Sequence, residues 1–165
     1  MGWISSLFKS KTPEENPKTF TLRQGKSVAV DEAFEAWTSG DLELMLKAVN
    51  SKTNPVDRHF LLQSIVGETY KLRKEGKYRN LCIKYSEKHM EEFPVIAPAL
   101  KDEMGGSLPR ISTFQHYATV LTENLNFDEA IDICKQAISY GLHDSTKSGF
   151  KGRIIRIQKK AEQNA

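Results

Sequence analysis

The sequence predicts an all-α protein assembled from antiparallel helix pairs, and three observations carry that prediction. Between Phe114 and Gly141, residues Phe114, Tyr117, Ala118 and Leu121 share one helical face, and Ala130, Ile131, Cys134, Ala137 and Ile138 share another. A polar turn, Asn124-Leu125-Asn126, separates the two. Weaker copies of this unit occur upstream, where turns at Ser39-Gly40 and Glu75-Gly76 precede apolar residues at helical spacing. Strong helix-start signals recur as well, at Asp41, at Asn54-Pro55-Val56-Asp57 and at Asp144-Ser145-Thr146.

Taken in order, residues 1–11 begin with Trp3, Ile4, Leu7 and Phe8, the apolar face of a short amphipathic helix, followed by Lys9 and Lys11. The order and length are wrong for a signal peptide. Gly2 and Ser6 satisfy the minimal M-G-x-x-x-S acylation pattern, although Trp3 fits poorly beside the glycine. Such a helix could rest on a membrane, giving weak peripheral contact through residues 1–11, on a partner, or on the domain itself. Residues 11–27, with two prolines, read as a mobile linker, so residues 1–27 form an N-terminal segment and 28–165 a helical-repeat domain.

Within that domain Ala33, Phe34, Ala36 and Trp37 make a first short helix, ended by Ser39-Gly40. Asp41 caps a second helix through Leu42, Met45, Leu46 and Val49. Asn54 and Pro55 open a third, running through Leu62, Ile65, Val66 and Tyr70 to about Lys74 and closed by Glu75-Gly76. The next runs from about Tyr78 to Phe93 and is expected to stop at Pro94. Residues 95–109, rich in proline and glycine, read as an insertion carrying at most a short helix over Ala99 to Met104. After the Phe114–Gly141 unit, a last helix from about Lys147 to Gln163 turns Phe150, Ile154, Ile157 and Ala161 toward its neighbours.

No apolar run approaches the ~20 residues that cross a bilayer. The two cysteines stand 52 positions apart, without metal or redox spacing. Each lies on an apolar helix side, so buried free thiols in a reducing, cytoplasmic compartment are expected. The net charge of +3 is uneven: residues 1–29 carry +3, residues 146–165 carry +5, and the middle is acidic. A solvated tail and helix face account for this; contact of both ends with something anionic is the sharper explanation.

The segments SGDLELMLKAV, EGKYRNLCIKY and NLNFDEAIDIC align as a turn, a large apolar residue (Leu42, Tyr78, Phe127), then apolar pairs at Met45-Leu46, Leu81-Cys82 and Ala130-Ile131. A further apolar residue follows three later at Val49, Tyr85 and Cys134. This pattern resembles the tetratricopeptide repeat. Leu42 to Tyr78 is 36 residues, near the ~34 of that repeat, whereas Tyr78 to Phe127 is 49, so the insertion must be accommodated. The resemblance implies a short solenoid of stacked helix pairs with a concave groove and a C-terminal capping helix.

It further implies that the first helix of each pair lines the groove. Carried across by position, it selects Ser64, Glu68 and Lys71, then Gln115, Thr119, Thr122 and Glu123. With the last helix in the next first-helix slot, Gly152 stands 34 residues after Ala118, and Arg153 and Arg156 look into the groove, where they could clamp a carboxylate.

Motifs of chemistry are missing. There is no G-x-x-x-x-G-K-[S/T], no G-x-G-x-x-G, no H-E-x-x-H and no paired C-x-x-C, and the four histidines are scattered. No cofactor or metal is expected. The expected function is therefore a non-catalytic scaffold or adaptor that binds a peptide or protein segment. The alternative is a nucleic-acid or anionic-membrane-surface binder using the basic ends, which strong salt dependence would mark.

Overall fold

A computed structural model of the chain describes residues 18–165. The expected N-terminal amphipathic helix, the acylation pattern and the first part of the linker lie outside the described residues. Within them the order is β1 (Phe20–Arg23), β2 (Lys26–Ala29), α1 (Glu32–Ser39), α2 (Leu42–Ala48), α3 (Pro55–Lys71), α4 (Gly76–Glu103), α5 (Ser112–Glu123), α6 (Phe127–Ser139) and α7 (Gly149–Gln163). The molecule is mostly helical. Helix α1 packs on α2 and α3, α3 on α4 and α5, α5 on α6, and α6 on α7.

The caps behave as their residues dictate. Asp41 accepts from the backbone N–H of Glu43 and Leu44, and Asn54 accepts from that of Asp57 with Pro55 behind it. Between helices the alanines Ala118, Ala130 and Ala137 are fully buried, which lets the backbones of α5 and α6 approach closely. Both cysteines are buried and free. Burial pushes the Cys134 thiol up to about 11.

Three expectations are corrected. First, residues 20–27 are not linker: with Val28 and Ala29 they form an antiparallel hairpin, pairing Phe20 with Ala29 and Arg23 with Lys26. Gln24 and Gly25 both take positive φ, the tight turn whose twist suits a two-residue hairpin. A two-stranded ribbon is marginal alone. This one is tied down by Arg23, which donates to Asp57 of α3, and by Gln24, whose backbone N–H bonds Glu103 and whose side chain bonds Asp102 of α4.

Second, α3 ends at Lys71, three residues early. The N–H groups of Leu72 and Arg73 turn back to the Thr69 and Tyr70 carbonyls, and Gly76 opens α4 rather than capping α3. Third, α4 does not stop at Pro94. Pro94 and Pro98 each remove one intrahelical N–H, yet both are exposed, and the buried face continues past them through Phe93, Ile96, Ala97 and Leu100. Burying that stripe outweighs the local loss. Most of the expected 95–109 insertion is thus the last turns of a 28-residue helix, which accounts for the long spacing between Tyr78 and Phe127. The irregular part begins near Met104, where Gly105 and Gly106 take positive φ.

Candidate functional site

Helices α5 and α7 diverge enough to leave a groove of about 240 Å³ lined by Thr119, Thr122, Glu123, Arg153, Arg156, Ile157 and Lys160. Five of the nine residues selected from the sequence meet here. Ser64, Glu68, Lys71 and Gln115 do not line it. Glu68 and Lys71 form an exposed i,i+3 pair on α3, and Gln115 accepts from Arg110.

Each lining residue is held. The hydroxyls of Thr119 and Thr122 donate to the carbonyls of Gln115 and Ala118 one turn back, which keeps their oxygens at the helix surface. Arg153 spans the groove floor: its Nε donates to Asp144 Oδ2 at 2.9 Å and its Nη1 to Thr119 Oγ1 at 3.1 Å. Asp144 is fully buried and also accepts from the backbone and hydroxyl of Thr146. Burial alone would raise its pKa; the Thr146 hydrogen bonds and the Arg153 guanidinium reverse that and hold it below the usual range. Arg153 is therefore a structural tie from α7 to α5 and to the α6–α7 loop, not a spare clamp.

Glu123 is likewise engaged, bracketed by Arg73 and Arg79 at 3.0 Å each. Burial would raise its pKa too, but the two guanidiniums hold it low. Arg156 differs. Its Nη1 donates only to the neutral Ser148 Oγ at 2.9 Å, and among the described residues neither it nor Lys160 has a carboxylate partner. The groove thus presents two uncompensated cations beside two hydroxyls and the apolar Ile157.

Gly152 is explained by its neighbour: a Cβ there would stand 2.0 Å from Ser148 Oγ, the atom that positions Arg156. The face continues toward α3 through a stack in which Arg73 lies over Tyr70 at 3.9 Å and Tyr70 over His116 at 4.0 Å. His116 is lowered to about 4 by burial and by the field of Arg110, Arg73, Arg153 and Lys71. Sequence reasoning left Lys160 outside the site, although Arg156 and Lys160 at i,i+4 share a helical face and could have been paired from spacing alone.

A larger hollow of about 430 Å³ lies between the α2–α3 loop and α4. Of its charged groups Arg58 and Glu92 satisfy each other, Arg58 making a two-pronged pair with Glu92 at 2.6 and 2.7 Å and also donating to the Val49 carbonyl, while Lys52 and Glu91 make no ion pair among the described residues.

The core hides a polar chain that sequence reasoning passed over. His59 Nδ1 lies 3.0 Å from His89 Nε2, and His89 Nδ1 lies 2.8 Å from Thr113 Oγ1, joining α3, α4 and α5. His59 Nε2 has no hydrogen-bond partner among the described residues. Burial lowers His59 to about 4 and His89 well below its ordinary value, so both are neutral. Among the described residues no group of three or more His, Cys, Asp or Glu is arranged to hold a metal ion, and no helix is long and apolar enough to cross a membrane.

No family model matches the chain, and no solved structure matches it. It is similar to an uncharacterized protein of Aquifex aeolicus (strain VF5), 29% identical over 123 residues, which covers 70% of this chain. The chain's match spans 59% of that protein's length.

Proposed function

We propose that this chain is a non-catalytic scaffold that holds a peptide or protein segment of a partner in the groove between α5 and α7, within a tetratricopeptide-like stack of helix pairs. The observation that carries the reading is the convergence of Thr119, Thr122, Arg156 and Lys160 on one groove from helices far apart in sequence. Two hydroxyls and two uncompensated cations suit an extended segment bearing a carboxylate, whose oxygens accept from Arg156 and Lys160. The stacking order supports the same reading, because α1 touches α3 and α3 touches α5, as first helices of successive pairs do.

The test is capture of partners from nuclease-treated host lysate by the full chain, by Arg156→Glu/Lys160→Glu and by Thr122→Arg. A protein retained by the parent and lost by both variants is expected. Retention unchanged by either variant, or only nuclease-sensitive material in place of protein, would overturn the reading. Arg153 is left intact because its loss would strand the buried Asp144.

A further inference from the structure

The turn end of the molecule offers a second surface. Leu125, in the α5–α6 turn, combines two unfavourable features: it is 57% exposed and it sits at φ 64, a conformation that glycine and asparagine adopt far more easily. Leu72, in the α3–α4 turn, is 41% exposed. The two turns lie side by side, because Arg73 and Arg79 both donate to Glu123 and Arg79 also donates to Asn124.

The charges around these leucines are divided. On one side, residues 71–79 carry five cations against the single carboxylate of Glu75. Lys74 and Lys77 are exposed there and have no ion-pair partner among the described residues. On the other side, Asp128 and Glu129 are exposed in the first turn of α6, also without an ion-pair partner among the described residues. A face with an apolar centre, a basic flank and an acidic flank is complementary to itself after a half-turn rotation.

From this we infer that the α3–α4 and α5–α6 turns form a twofold contact between two copies of this chain, with Leu72 and Leu125 at its centre. Lys74 and Lys77 of each copy meet Asp128 and Glu129 of the other. An anionic surface is the poorer occupant, since the acidic flank would face it. The patch is small, so the contact belongs to the weak, transient class of interface.

Sedimentation velocity across a concentration series up to about 200 µM resolves such association. The parent chain is expected to self-associate. Leu125→Asn, which suits the left-handed backbone and so keeps the fold, should weaken association by about tenfold. Lys74→Glu/Lys77→Glu and Asp128→Lys/Glu129→Lys should each be monomeric alone. Mixed together they should form a heterodimer, because every flank then meets its opposite, and a misfolded variant cannot imitate that gain. A parent that stays monomeric, or swapped variants that fail to associate when mixed, would overturn the inference. So would association that Leu125→Asn leaves unchanged.

Discussion

Asp57 and Asp144 are both buried carboxylates that pin an arginine onto the helical body, and they differ in how far they reach. Asp57, at the start of α3, accepts from Arg23 at 3.1 and 2.6 Å, from Trp37 Nε1 at 3.1 Å and from Asn54 at 2.6 Å. Those partners come from the hairpin, from α1 and from its own cap, up to 34 residues away. Asp144 draws on Thr146 and Arg153, all within nine residues. The first is a hub for the N-terminal third of the described chain, and the second is a local clasp on α7. Connectivity, more than burial, should decide what each contributes.

The sharpest way to break that comparison is to remove both carboxylates separately. Asp57→Ala takes from Arg23, whose side chain is only 12% exposed, its closest carboxylate, leaving Glu103 at 3.7 Å and the Leu22 carbonyl, and it strands the Trp37 N–H, so it should cost about 3 kcal/mol in urea unfolding. Hydrogen exchange should show the hairpin amides released along with α1. Equal losses from Asp57→Ala and Asp144→Ala would show that reach is irrelevant.

The histidine chain sharpens the same contrast, because it also belongs to the N-terminal half of the helical body. His59 is neutral when folded, with its pKa near 4, while in the unfolded chain it takes up a proton near 6.5. Between those values the unfolded state binds more protons, so stability is complete above about pH 6.5 and falls as the pH drops toward 4. His59 alone accounts for roughly 3 kcal/mol across that window, and His89 acts in the same direction. Urea unfolding at a series of pH values measures the slope, and His59→Met should flatten it by about one proton. A slope that His59→Met leaves unchanged would mean that another group carries the acid sensitivity.

Asp144→Ala comes next, at about 2 kcal/mol, since Arg153 keeps Thr119 and reaches water more easily. The loss should appear as exchange of α7 amides while α1, α3 and the hairpin stay protected. It should also weaken the partner binding proposed for the α5–α7 groove, because Arg153 ties the two walls together.

The contrast between hub and clasp also explains what could be read from the chain. Asp41 and Asn54-Pro55 announce themselves because cap and capped residue lie within a few positions, and each was legible, whereas Asp144-Ser145-Thr146, expected to cap the last helix, lies ahead of it: α7 starts at Gly149 after Ser148, and Asp144 turns to Thr146 and Arg153. Periodicity placed Phe114, Tyr117, Leu121 and Phe150 in the core, where they are found. The hairpin was not legible: its strands have four residues each, its turn uses Gln24 where Asn or Asp would have signalled, and its anchor is 34 residues away. Proline in α4 misled for a related reason. Pro94 is a local stop signal, whereas Phe93, Ile96 and Leu100 pack against other elements and prevail. In the groove, the repeat spacing selected Thr119, Thr122, Glu123, Arg153 and Arg156, but only the fold reveals that Arg153 is paired with a carboxylate and Arg156 is not.

The smallest predicted effect probes that last distinction. Gly152→Ala adds a Cβ 2.0 Å from Ser148 Oγ and 2.2 Å from Ser148 Cβ. Rotating the serine side chain clears the hydroxyl but not the Cβ, so the backbone at the start of α7 must shift, a cost that alanine's helix propensity of up to about 1 kcal/mol offsets in part. Stability should therefore fall by about 1 kcal/mol net. Arg156, however, loses the partner that orients it across the groove, while Arg153 keeps both of its own. Side-chain NMR of the two guanidiniums should show Arg156 gaining motion and Arg153 unchanged. If both loosen together, Asp144 does not clasp α7 independently of the residues that orient Arg156, and the separation of the tied arginine from the uncompensated one fails.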